Sequence, residues 1–128
     1  MNIAADLDRA AAERPSHPAL VSGDDRWTFT DLDTAASRIA TGLEQAGVRP
    51  GDRVAIIMGN TPGHVAAWYG TAKAGAVPVD MNFLLGDEEW AWILDDCRPS
   101  AVLAGAEYGE RLAALTPGLR RPPAVHLA

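Results

Sequence analysis

Cysteine is almost absent from this chain. Its 128 residues hold one, Cys97, so no disulfide can form within it, and its lone thiol suits a reducing compartment. Basic residues are few as well, and ten of the eleven are arginine, against 17 acids, for a formal charge of −6. The bases are scattered among the acids, which excludes a nucleic-acid footprint and a polybasic membrane patch. No apolar run approaches the ~20 residues of a membrane span. The opening, Met1-Asn2-Ile3-Ala4-Ala5-Asp6, carries an early acid and no basic segment, so it does not read as a secretory signal. These absences point to an acidic cytoplasmic domain. Its length fits one domain able to bury roughly two-thirds of its unfolded surface.

What is present is organised around residues 53–82. The run Val54-Ala55-Ile56-Ile57-Met58 is short, partly β-branched and bounded by turn residues, as in a strand buried on both faces. Gly59-Asn60-Thr61-Pro62 breaks it. Thr61 is placed as an N-cap and Pro62 as the first helical residue, where a missing N–H costs nothing. Val65, Trp68, Tyr69 and Ala72 then recur on one helical face. Gly75 stands where a left-handed cap belongs, and a second apolar run covers residues 76–81. Strand, helix and strand with short connections make a βαβ unit and a parallel sheet.

The flanking segments extend the pattern. Ile3, Leu7, Ala10 and Ala11 form one stripe of a first helix over residues 2–14, stopped by Pro15. Residues 19–22 and 26–29 read as a hairpin around Gly23-Asp24-Asp25. Thr30 with Asp33 three residues on predicts an acidic capping box for a helix that Gly47 ends. Gly86 opens a further helix whose first turn holds Asp87, Glu88 and Glu89, where the helix dipole favours acids. Its inward stripe is Trp90, Ile93, Leu94 and Cys97, and Pro99 closes it. A buried strand at 101–104, a helix at 107–115 with Tyr108, Leu112 and Leu115 inward, and a last strand at 124–128 complete the chain. The expected class is α/β: a mostly parallel sheet with helices on both faces over residues 31–128, preceded by a helix and hairpin over residues 1–30. An ending on a strand without a covering helix implies a piece of something longer.

Chemistry-bearing patterns are sparse. There is no GxGxxG, no Gly-Lys-Ser/Thr phosphate loop and no GxSxG elbow. The 59–62 loop follows a parallel strand, where ligands sit in open α/β sheets, and its helix N-terminus offers an anion position, yet it reads first as a turn and cap. His64 lies in that helix's first turn without a partner nearby in sequence. His17, His64, His126 and Cys97 share no metal-ligand spacing. Cys97 sits beside Asp95 and Asp96, which disfavour a thiolate, so it is read as a packing residue. Trp68 and Trp90 fall on buried stripes, Tyr69 is free to face a pocket, and Trp92 falls off its stripe and is expected exposed, as a contact surface. No residue is assigned a catalytic, cofactor-binding or metal-binding role.

Five stretches in one order resemble the AMP-forming, adenylate-forming synthetases. Trp27-Thr28-Phe29-Thr30-Asp31-Leu32 is similar to their first core motif, L-T/S-Y-x-E-L. Lys73-Ala74-Gly75-Ala76, continued by Val77-Pro78-Val79-Asp80-Met81-Asn82, resembles their K-A-G-A followed by V-x-x-N-P. Between these, Gly47-Val48-Arg49-Pro50-Gly51-Asp52-Arg53-Val54-Ala55 matches G-V-x-x-G-D-x-V-A. Gly59-Asn60-Thr61-Pro62 occupies the N-x-P/S-E slot, with Gly63 where Glu is common, and the opening Arg14-Pro15-Ser16-His17-Pro18-Ala19-Leu20 is also similar. The residues after Met81 look most like acyl-CoA ligases for fatty or other carboxylic acids.

The resemblance implies a two-step reaction. A carboxylate attacks ATP, with magnesium, to give an acyl-adenylate and pyrophosphate, and coenzyme A then displaces AMP. The nucleotide-gripping and catalytic motifs of that family lie beyond residue 128, so residues 1–128 are expected to be its N-terminal subdomain, inactive alone, with the rest of the synthetase as partner and self-association through an exposed sheet edge. A stand-alone module that has lost its chemistry is the alternative, and a nucleotide-binding protein of flavodoxin type is a third reading. Two departures stand out: Asn-Pro is Asn82-Phe83 here, and Leu84 holds a place where some members carry a base that touches coenzyme A.

Overall fold

The computed structural model describes residues 2–127, with side chains through residue 124. Helix α1 (Ala4–Glu13) buries Ala4 and Leu7. Ile3, expected on its inward stripe, is 51% exposed, because it is the N-cap and precedes the first helical turn. Strands β1 (Pro18–Ser22) and β2 (Asp25–Thr28) form the expected antiparallel hairpin. Its turn is the pair Gly23-Asp24, and Gly23 at φ +59° supplies the left-handed conformation that two-residue hairpin turns demand.

Helix α2 (Phe29–Gln45) starts earlier than expected. The capping box is made by Thr28 and Asp31, not Thr30 and Asp33: Thr28 Oγ1 accepts the Asp31 N–H and the Asp31 carboxylate accepts the Thr28 N–H. Both threonines have an aspartate three residues on, so the local signal is degenerate. The earlier start lets Phe29 pack with Leu7 and Leu32 and leaves Asp33 free for a tertiary partner. Gly47, at φ +92°, follows the last turn.

Strand β3 (Arg53–Ile57) leads through the Thr61 cap into α3 (Pro62–Lys73), with Pro62 in its first turn. Strand β4 (Val77–Asp80), helix α4 (Asp87–Cys97) capped at Gly86, and strand β5 (Ala101–Ala104) follow. A 3₁₀ turn at Ala106–Tyr108 precedes α5 (Gly109–Leu115), which is shorter than expected, and β6 (Ala124–Leu127) comes last. The main sheet runs β4-β3-β5-β6 and every pairing is parallel.

Side chains alternate across this sheet with the strand period of two. Val54, Ile56, Ala101 and Leu103 meet Leu43, Ala67 and Ala74 of the α2–α3 layer. Ala55, Ile57, Val102 and Ala104 meet Trp90, Leu94 and Leu112 of the α4–α5 layer. Helices therefore cover both faces, as the apolar strands required. A third cluster, Leu7, Leu32, Ala36 and Ala66, ties α1 and the hairpin to α2 and α3.

The buried face of α3 differs from the expected stripe. Ala66, Ala67, Gly70, Thr71 and Ala72 are buried, whereas Val65, Trp68 and Tyr69 are only half-buried. Helix α2 sets this. A Cβ on Gly70 would stand 2.6 Å from Ile39 Cγ2 and 2.8 Å from Ala36 O, so the two helices approach across small residues and the large side chains move to the rim.

Candidate functional site at the carboxyl edge of the sheet

The chain leaves β3 through α3 on one face and leaves β5 through α5 on the other. The connections thus diverge between β3 and β5, which is where open α/β sheets hold ligands. The strand order is also that of flavodoxin-type folds. The loop at this point nonetheless closes on itself. Thr61 N donates to Gly59 O at 2.9 Å, and Thr61 Oγ1 accepts from His64 N at 3.3 Å. It is the turn and cap read from its sequence, and its hydroxyl is committed to the helix.

Beside the loop, a groove of about 370 Å³ lies between the hairpin and the start of α3. Leu20 and Val21 line one side and Val65, Trp68 and Tyr69 the other, with His64 among the lining residues. Trp68 and Tyr69 meet edge-on, centroids 5.5 Å apart. Tyr69 faces a pocket, as its spacing allowed. Trp68, expected in the core, is half-buried: it packs against the α2–α3 core cluster and lines the pocket as well.

His64 has a partner that local sequence did not offer. Its Nε2 lies 2.8 Å from Asp80 Oδ1. Parallel pairing of β4 with β3 brings the end of β4 beside the start of α3, so residues 16 apart meet. Lys73, noted only as a motif member, proves to be a junction: its Nζ contacts Asp8 of α1 and Asp33 of α2. Burial works to lower the lysine pKa, but hydrogen bonds and charge from Asp33 and Asp8 hold it above its ordinary value.

Cys97 is half-buried, and burial pushes its thiol pKa up, with Asp96 adding and Arg53 opposing. The upward shift therefore comes chiefly from desolvation rather than from neighbouring acids. Asp95 instead accepts the Arg120 N–H at 3.0 Å. Trp92 is 69% exposed, as expected. Trp90 is fully buried; its Nε1–H donates to Asn82 O at 3.0 Å, and the Arg111 guanidinium lies 3.6 Å above its ring. Where proline is missing after Asn82, the Asn82 side chain accepts the Leu84 N–H at 2.9 Å, and Leu84 itself is exposed. His17 Nδ1 lies 3.0 Å from Pro18 O; the His126 side chain falls outside the described ones. Among the described residues no three His, Cys, Asp or Glu side chains gather as metal ligands, and no helix is long and apolar enough to cross a membrane.

Three of the basic side chains are committed to partners within the chain. Lys73 is held by two carboxylates. Arg111 is engaged with Asp87, Leu85 O and Trp90. Arg53 donates to the carbonyls of Cys97 and Arg98, beyond the amino end of β5.

Three comparisons bear on this arrangement. The AMP-binding enzyme family matches residues 7–127. A feruloyl-CoA synthase of Amycolatopsis sp is 39% identical over 120 residues, 93% of this chain and 24% of that protein. A medium/long-chain-fatty-acid–CoA/3-oxocholest-4-en-26-oate–CoA ligase of Mycobacterium marinum is 32% identical over 117 residues, 91% of this chain and 21% of that one. Among solved structures, an anthranilate–CoA ligase in complex with anthranoyl-AMP superposes on all of this chain with a TM-score of 0.93 and 26% identity, over 25% of its own length. The chain thus spans about a quarter of the length of these relatives.

Proposed function

The chain belongs to the AMP-binding enzyme family, corresponding to the N-terminal part of its acyl-CoA ligases, and from that premise we propose that it serves an acid–CoA ligase of the cytoplasm. The proposed reaction joins a carboxylic acid to ATP, giving an acyl-adenylate and pyrophosphate, and then passes the acyl group to coenzyme A with release of AMP. Magnesium accompanies the ATP. The substrate is a fatty or other carboxylic acid. The reading is carried by the likeness of the whole chain to the anthranilate–CoA ligase, together with the ordered motifs. A stand-alone module is the weaker reading, since the similar proteins named above are CoA ligases.

The role proposed for these residues is structural: they supply a sheet with both faces covered and a carboxyl edge on which the rest of the synthetase is built. The 128-residue polypeptide is proposed to be inactive alone, a reading supported by the engagement of Lys73, Arg111 and Arg53 within the chain. Self-association through a sheet edge is part of the proposal. Pro78 sits in β4, an edge strand. Val77 N–H donates inward to Asp52 O, just before β3, and Met81 N–H to Ile56 O of β3, so the period of two puts the missing Pro78 N–H on the outer side. That leaves β6 as the edge able to pair.

The test is pyrophosphate release with ATP, magnesium and ferulate, anthranilate, octanoate or palmitate. The 128-residue protein is expected to release none, and the product of the gene read past codon 128 is expected to release it with at least one acid. Turnover by the short protein would overturn the inactivity; silence of the longer product with every acid would overturn the ligase reading.

A further inference from the structure

Parallel pairing of β5 with β6 sets their amino ends side by side, and three arginines gather there. Arg98 caps α4 just before β5, and Arg120 and Arg121 lead into β6. With Leu94 and Asp95 they line a cleft of about 140 Å³. Asp95, Arg98 and Arg120 also line a hollow of about 280 Å³ with Asp96 and Trp92, whose indole is exposed. Unlike the amine of Lys73 and the guanidinium of Arg111, these three guanidiniums make no ion pair among the described residues. Asp95 Oδ1 instead accepts the backbone N–H of Arg120 at 3.0 Å, which fixes the segment carrying Arg120 and Arg121. Arg53 donates to the carbonyls of Cys97 and Arg98 and so braces the end of α4. Arg98 is the one described non-glycine residue with a positive φ, +48°. Glycine fills such a left-handed cap at least cost, and strain held at a single residue is a mark of ligand sites.

We propose that this cleft is an anion site that takes a phosphate monoester bearing a flat ring, with the phosphate among Arg98, Arg120 and Arg121 and the ring on Trp92. Guanidinium forks match phosphate oxygens in pairs. A monoester brings about two negative charges and several acceptor oxygens, which answer the surplus of three arginines over the carboxylates of Asp95 and Asp96. A lone carboxylate brings less charge and fewer oxygens. The indole offers a face on which a flat ring stacks. The cleft lies at the amino end of the strands, away from the groove beside α3, and does not rest on the ligase reading.

The experiment titrates the 128-residue protein with inosine monophosphate, and in separate arms with inosine and with inorganic phosphate, at constant ionic strength. Heteronuclear NMR follows the Trp92 indole N–H and the arginine Nε–H signals. The monophosphate is expected to saturate, to shift Trp92 and Arg98 together, and to bind at least about tenfold more tightly than inosine or phosphate. Arg121→Gln, at an exposed side chain, is expected to weaken binding about tenfold and leave the thermal midpoint unchanged. Arg98→Gly is expected to weaken it as much while raising the midpoint by a few degrees, because glycine relieves the left-handed cap. Those opposite signs separate a ligand-binding arginine from a structural one. No saturable binding, equal affinity of the monophosphate with inosine or with phosphate, unchanged affinity in both variants, or a midpoint that falls in Arg98→Gly would each overturn the proposal.

Discussion

His64 Nε2 and Asp80 Oδ1 stand 2.8 Å apart, joining the first turn of α3 to the end of β4 at the sheet's carboxyl edge. The pair is partly exposed, with 26% of the histidine side chain and 51% of the aspartate side chain open to solvent. Solvent screens such a contact. Asp80→Asn is therefore expected to lower unfolding stability by less than about 1 kcal/mol, measured by urea denaturation at neutral pH. A larger loss would mean that the pair anchors β4 to the sheet.

Gly70 is a stronger constraint. Alanine is the better helix former by about 1 kcal/mol, yet its Cβ would meet Ile39 Cγ2 at 2.6 Å and the Ala36 carbonyl at 2.8 Å. The second contact is backbone and cannot swing away. Gly70→Ala is expected to cost about 1–3 kcal/mol net, and adding Ile39→Ala should not restore stability. A neutral or stabilising Gly70→Ala in thermal unfolding would contradict the close helix crossing.

Two tryptophans two residues apart should behave oppositely. Trp90 is fully buried, with its indole hydrogen-bonded to Asn82 O, so Trp90→Ala is expected to cost about 3–5 kcal/mol. Trp92 is 69% exposed, and Trp92→Ala should stay within about 0.5 kcal/mol. Acrylamide should quench Trp92 fluorescence and spare Trp90, which single-tryptophan variants can report.

Acid should weaken the fold through its capping carboxylates. Hydrogen bonds from the Thr28 backbone and hydroxyl hold the Asp31 carboxyl below its ordinary 3.8. The Arg49 N–H and the Ser100 hydroxyl do the same for Asp52, whose ordinary value is also 3.8. Because the folded values lie below the unfolded ones, the stabilisation is complete above 3.8 and is lost as pH falls through the folded values. The urea midpoint should therefore drop between about pH 4 and 2, and drop less in Asp31→Asn and Asp52→Asn. Thr28→Ala should cost about 1 kcal/mol at neutral pH, whereas Thr30→Ala should cost little, which separates the observed capping box from the one expected two residues on.

The order of elements, the parallel class and the ends of α3 were determined by local chemistry. Thr61, Pro62 and Gly75 each act through their own backbone geometry, and the apolar runs at 54–58 and 101–104 admit no orientation but full burial. Local signals could not decide between two equivalent capping boxes, nor which face of α3 turns inward, because Val65, Trp68 and Tyr69 and the small residues beside them are both at helical spacing. The crossing at Gly70 settled that. Tertiary structure alone brought His64 to Asp80 and set Lys73 between Asp8 and Asp33, since each pairing needs the crossover of a parallel sheet or the docking of α1 to close a gap of 16 to 65 residues. Helix caps and strand burial are read from neighbours in sequence; contacts among helices depend on where the sheet carries them.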